Sequence, residues 1–231
     1  MIETVGLTKS YRRRTAVADV SLTFPSGAVT YLLGLNGAGK TSLLRLVAGL
    51  TTADSGWVSI CGRQLHRERD PMRLLGSSLE PGVMNPRHTV RRHLNWLATL
   101  GGLPGARVDA VLAETDLTSA ARQRISSLSL GARQRVAIAG ALLGDPAAVV
   151  LDEPLNGLDV PGIVWLRELL RRLAADGRTL VVASHLLSEV VLTADRIVVL
   201  QNGRVALDAP FGDLTRAGSD PREHLERIVV G

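Results

Sequence analysis

Eight consecutive residues, Gly34-Leu35-Asn36-Gly37-Ala38-Gly39-Lys40-Thr41, have the types and spacing of a loop that cradles phosphate. Glycine lets the backbone turn tightly enough for successive N–H groups to face inward onto phosphate oxygens. Lys40 would reach the β- and γ-phosphates of a nucleotide, and the Thr41 hydroxyl would bind its Mg²⁺. The candidate phosphate contacts are thus Gly34, Leu35, Asn36, Gly37, Ala38, Gly39, Lys40, Thr41 and the adjacent Ser42. A second constellation lies far downstream. The apolar run Val149-Val150-Leu151 ends in Asp152-Glu153-Pro154, and a buried strand does not carry adjacent acids unless a cation or a substrate meets them. Asp152 fits the Mg²⁺ partner, and Glu153 fits a base that polarises an attacking water. Taken alone, Asp-Glu-Pro would pass for a turn; beside a phosphate loop it has work to do.

These residues need elements to hold them. Val29 to Leu33 is a short apolar strand that runs into Gly34, and a helix follows over Lys40 to Ala48 with Gly49 as its stop. That strand–loop–helix order presents the positive N-terminal end of the helix to the same phosphates. Ala147 to Leu151 is predicted as a buried strand. Thr179 to Ala183 and Ile197 to Leu200 are further strands, and Asn202-Gly203 is predicted to turn the last of them back into Val205 to Leu207. Val17 to Phe24 and Trp57 to Ile60 read as strands as well. Pro161 and Gly177 bracket a helix with an apolar face at Leu166, Leu169, Leu170 and Leu173. Between about Pro81 and Leu143 the pattern is helical instead, over Arg91 to Leu100, Val108 to Glu114 and Ala132 to Leu143. Strands alternating with helices predict an α/β fold with a largely parallel sheet. The expected organisation is one domain over 1–231, with the core in 1–80 and 144–231 and an inserted helical lobe in 81–143.

Composition narrows the classes. The chain has 231 residues, 45% of them hydrophobic and only 3% aromatic, so Leu, Val, Ile and Ala must fill the core. A net charge of +5 permits nucleic acid, an anionic membrane or a nucleotide phosphate as a partner. No run of five like charges occurs, and the Arg12-Arg13-Arg14 cluster reads as a solvated surface. The single cysteine, Cys61, excludes an intrachain disulfide, and no Cys/His cluster has zinc-ligand spacing. No apolar stretch reaches the roughly 18 residues that span a bilayer, and Met1 to Lys9 lacks the apolar core of a signal peptide. After Gly203 a short tail is expected, without a regulatory domain.

With these residues in place, the chain resembles an ABC ATPase over nearly its whole length, and its variant motifs look like those of bacterial drug- or peptide-exporter ATPases. The family's signature segment corresponds to Leu128-Ser129-Leu130-Gly131-Ala132-Arg133-Gln134-Arg135. Leu130 and Ala132 replace its usual glycine and glutamine. The D-loop matches Asn156-Gly157-Leu158-Asp159, and the switch histidine matches His185. Tyr11 matches the aromatic that stacks on adenine. Glu80, within Leu79-Glu80-Pro81-Gly82, falls where the family commonly has a glutamine that contacts Mg²⁺ and couples to the membrane partner; Ser77 or Ser78 is the alternative alignment.

The resemblance implies a P-loop NTPase core with an N-terminal antiparallel β subdomain and the inserted α-helical lobe. It implies ATP and Mg²⁺ as cofactors. It also implies a head-to-tail homodimer in which Ser129, Leu130 and Gly131 of one chain meet the ATP of the other, His185 contacts the γ-phosphate, and Asp159 links the two sites. The expected role is the ATP-hydrolysing subunit of an exporter at the cytoplasmic face of the cell membrane, acting through a separate integral membrane permease. A soluble ABC-type ATPase acting on nucleic acid or ribosomes is the alternative; its usual second cassette or long insertion is missing here, and no specific nucleic-acid partner is expected. An importer motor and a non-hydrolysing regulator are further readings, the latter disfavoured by the presence of both Glu153 and His185.

Overall fold

The computed structural model describes residues 1–12, 14–79, 84–215 and 221–230. In chain order the elements are β1 (Ile2–Tyr11), β2 (Arg14–Phe24), β3 (Ala28–Leu33), α1 (Lys40–Val47), β4 (Ser55–Ile60), a single turn α2 (Pro71–Leu74), β5 (Leu75–Ser78), α3 (Val90–Leu100), α4 (Ala106–Glu114), α5 (Leu130–Leu142), β6 (Ala148–Asp152), α6 (Val160–Ala175), β7 (Thr179–Ala183), α7 (Leu187–Thr193), β8 (Arg196–Gln201), β9 (Arg204–Pro210), α8 (Phe211–Thr215) and α9 (Pro221–Val230).

The strands form two sheets. A six-stranded sheet runs β5-β6-β7-β3-β8-β9, parallel throughout except for the β8–β9 hairpin. Its central strands are buried on both faces, as parallel sheets flanked by helices must be. Val149, Leu151, Leu180 and Val182 pack on one side, while Ala148, Val150, Val181 and Ala183 pack on the other. That two-sided burial is why these strands read as unbroken apolar runs. A second, antiparallel sheet runs β2-β1-β4, and Phe24, Leu7, Ile2 and Ile60 close it onto α1 and the second face of the large sheet.

Between β5 and β6 the described chain is helical. Thr89 caps α3 by accepting from the Arg92 N–H, and Ser129 caps α5 by accepting from the Ala132 N–H. Asp159 caps α6 in the same way through Gly162, with Pro161 in the first turn and Gly177 beyond its end at φ 84°. Asn202 and Gly203 both adopt positive φ in the β8–β9 turn, as a two-residue hairpin requires.

Several elements differ from the pattern reading, among them β2, which begins three residues before Val17, and α2 and α7, which the pattern does not give. β1 and β5 were not anticipated as strands, and β4 begins two residues before Trp57. The hairpin through Asn202-Gly203 leads into β9 as predicted, but beyond it the chain builds α8 and α9 rather than a plain tail, and Leu225 of α9 is fully buried.

Candidate nucleotide site

In a parallel sheet, ligands bind beyond the carboxyl ends of the strands. Here β6, β7 and β3 are neighbours, so their ends bring together Asp152 and Glu153, the segment leading to His185, and the loop starting at Gly34. The loop needs its glycines. Gly39 caps α1 at φ 110°, where a methyl group would collide with the Ala16 carbonyl oxygen. Gly34, at φ 145°, would collide with the Leu200 carbonyl oxygen. Both positions combine a left-handed backbone with close approach of another chain segment, and only glycine allows both.

Lys40 is buried, and its Nζ donates to the carbonyl oxygens of Gly34 at 2.6 Å and Leu35 at 3.3 Å. Its ammonium therefore lies inside the curve of the loop. Thr41 Oγ1 donates to Asp152 Oδ2 at 2.7 Å. Two hard oxygens so placed suit Mg²⁺, which is held by one or two protein oxygens together with substrate phosphates. Glu153 follows at φ 49°, a strained value for a residue with a side chain, fixed by its N–H donating to the Ala183 carbonyl at 2.9 Å. The Glu153 carboxylate meets His185 Nδ1 at 2.7 Å, within hydrogen-bond reach.

A cleft of about 380 Å³ opens over the loop. Tyr11, Asn36, Gly37, Gly39, Lys40, Thr41, Ser42, Asp152 and Glu153 border it, joined by Arg14 and Ala16, which the sequence reading had not placed there. Gly34 and Leu35 stay behind the cleft as acceptors for Lys40, and Ala38 is buried with its carbonyl held by the Gly203 N–H at 2.9 Å. Tyr11 is half exposed, and Lys9 Nζ lies 5.8 Å from its ring centre while pairing with Asp54 at 2.8 Å. Arg14 was hidden inside an arginine run; its approach to the cleft depends on the β1–β2 pairing, which no local pattern encodes.

Ser129, Leu130, Gly131 and Asp159 do not border the cleft of their own chain. They are close to one another instead. A Cβ built on Gly131 would sit 2.9 Å from the Gly157 carbonyl, and Leu130 packs over Gly157. Ser129, Leu130 and Asp159 are exposed. Glu80, together with Pro81 and Gly82, lies outside the described residues; Ser78 is buried and Ser77 exposed at the end of β5.

A second concavity, about 670 Å³, lies between β5, α3 and α5. Leu50, Met72, Leu79, Met84, Trp96 and Leu97 give it an apolar lining, and His93 borders it. Burial pushes the His93 imidazole below its ordinary 6.5, and the neighbouring His88 acts in the same direction.

Fold and site together define a P-loop nucleoside triphosphatase. Residues 17–156 match the ABC transporter family, and the chain belongs to it as an ATP-binding ATPase subunit of a transporter. It is 32% identical over 228 residues to the lantibiotic transport ATP-binding protein SrtF of Streptococcus pyogenes, covering 99% of this chain and 95% of that one. It is 33% identical over 229 residues to the bacitracin transport ATP-binding protein BcrA of Bacillus licheniformis, covering 98% and 74%. A solved ATP-binding subunit of an ABC transporter superposes with a TM-score of 0.88 at 27% identity, covering 99% of both chains. No helix among the described residues is long and apolar enough to cross a membrane.

Proposed function

We propose that this chain hydrolyses MgATP at the interface of a head-to-tail homodimer and thereby drives export through a separate integral membrane permease, working at the cytoplasmic face of the cell membrane. The observation that carries the reading is the division of the site. One chain supplies the loop, Lys40, Thr41, Asp152 and Glu153 around one cleft, with His185 held against Glu153, while Ser129 and Gly131 sit at a helix start that the cleft does not reach. A second copy placed head to tail would bring that helix start to the phosphates, a favourable place for an anion. Exposed Leu35, Leu130 and Val160, in the loop, the signature segment and the start of α6, would then be covered.

In this reading Tyr11 stacks on adenine, the loop backbone from Asn36 to Ser42 and Lys40 hold the phosphates, and Thr41 and Asp152 would hold Mg²⁺. When bound, Mg²⁺ neutralises charge developing on the phosphates. Glu153 polarises the attacking water, and His185 steadies Glu153 and contacts the γ-phosphate. Asp159 connects the two sites of the dimer. Residues 84–143 form the described part of the lobe that transmits motion, and the apolar groove around Trp96 receives the permease. Relatives named for lantibiotic and bacitracin transport support transport as the work done.

Tagged Glu153→Gln protein recovered with ATP from detergent-solubilised native membranes tests the reading. A multi-span membrane protein in stoichiometric amount is expected. Ribosomes or nucleic acid in its place would overturn the transport role.

A further inference from the structure

The rim of the cleft carries a second cation with no part in the scheme above. Arg14 opens β2 directly opposite Tyr11, the last residue of β1. Residues opposite one another in an antiparallel pair send their side chains to the same face, and both of these border the cleft. Arg14 Nη2 donates to the Gly37 carbonyl at 2.6 Å. A Cβ built on Gly37 would lie 3.0 Å from Nη2 and 3.6 Å from Nη1. The guanidinium thus rests on the loop at a position with no side chain to displace it.

Charge explains what it is for. Among the described residues that border the cleft, the side-chain cations are Arg14 and Lys40, and the carboxylates are Asp152 and Glu153. A nucleoside triphosphate stays anionic even with one Mg²⁺ bound, and the two carboxylates add negative charge, so Mg²⁺ and Lys40 together leave the cleft short of positive charge. The Lys40 ammonium reaches back to the start of the loop, on the Gly34 and Leu35 carbonyls; the Arg14 guanidinium stands at its middle, on Gly37. A guanidinium is always charged and carries five N–H donors in one rigid plane. The Gly37 bond uses one donor and fixes the plane, which reduces the freedom lost when a phosphate oxygen is engaged.

We infer that Arg14 is a nucleotide-binding residue, held in place by the Gly37 carbonyl and pairing with a phosphate oxygen between the base on Tyr11 and the phosphates on Lys40. The inference rests on the proposal that this cleft binds a nucleoside triphosphate. Its contribution is a charge-assisted hydrogen bond at an exposed rim, so it is strong at low salt and weakened by screening.

Calorimetric titration of the purified chain with MgATP, MgADP and adenosine separates the possibilities. Arg14→Ala and Arg14→Gln should weaken both nucleotides about tenfold, leave adenosine unchanged, and show a smaller deficit at high salt. Arg14→Lys should recover part of the loss. The glutamine amide can still donate to Gly37 but carries no charge, so Arg14→Gln binding nucleotide like wild type would reduce Arg14 to a prop for the loop and overturn the inference. Arg14→Ala binding MgATP like wild type while Lys40→Ala loses it would also overturn it, and would leave the nucleotide site standing. Wild-type protein that binds neither nucleotide would instead remove the reading on which the inference rests.

Discussion

At the scale of single residues, Glu153 combines a strained backbone with a directed side chain. Its φ of 49° is held by the Ala183 carbonyl, and its carboxylate is held by His185. A glutamine in its place keeps the shape and an oxygen acceptor for His185 but loses the basicity. Glu153→Gln should therefore bind MgATP normally while hydrolysis falls about 10²- to 10⁴-fold, the usual weight of a general base; parallel binding and phosphate-release assays read the two effects separately. Normal turnover would remove Glu153 from the role. Lys40→Ala should fail earlier, losing about two orders of magnitude in MgATP affinity through several charge-assisted bonds. Tight binding by that variant would undo the loop assignment. These residues were legible in the sequence because their chemistry demands fixed types at fixed spacing. Arg14 was not, since one arginine in a run of three has no meaning until a hairpin register sets it against Tyr11 and Gly37.

At the scale of elements, the helix that presents Ser129 is positioned by close packing. Gly76 lets β5 approach the backbone of α5 so nearly that an added methyl would overlap the Ala141 carbonyl. Arg135 of α5 stacks 4.3 Å from the ring centre of Trp165 on α6, which ties the signature helix to the helix capped by Asp159. Gly76→Ala should thus destabilise the chain by about 3 kcal/mol through overpacking, lowering the melting temperature by about 10 °C. Gly105→Ala, where an added methyl meets open space, should stay within a degree or two of wild type by the same scan; equal melting of the two variants would refute the packing argument. The strands that the sequence concealed each have a physical cause. β1 carries register shifts between Thr4 and Leu7 and again before Lys9 and Ser10, and each bulge breaks the alternation by which a strand is recognised. β5 is only Leu75-Gly76-Ser77-Ser78, with no β-branched residue to mark it. The central strands, buried on both faces, and the capped helix from Val160 to Ala175 carried strong local signals and were legible.

At the scale of the whole molecule, the cleft over Lys40 and the helix start at Ser129 do not meet within one chain. Ser129 accepts from the Ala132 N–H at the start of α5, while the cleft over Lys40 is bordered by other residues. If function requires two chains, two differently damaged chains should repair each other. Ser129→Asp keeps a good helix cap but sets a negative charge where a γ-phosphate must dock. Lys40→Ala leaves Ser129 intact but disables the cleft. Each variant alone should be inactive. In an equal mixture of freely exchanging dimers, half are mixed, and each mixed dimer holds one undamaged site made from the cleft of the first variant and the helix start of the second. About a quarter of all sites is then intact, and ATP hydrolysis should reappear at up to that share of the wild-type rate. A mixture that stays silent at concentrations where the wild type is active would place the whole site within one chain, against the head-to-tail arrangement. The same mixture assayed with the membrane partner present would show whether the permease strengthens the pairing that the exposed Leu35, Leu130 and Val160 side chains favour.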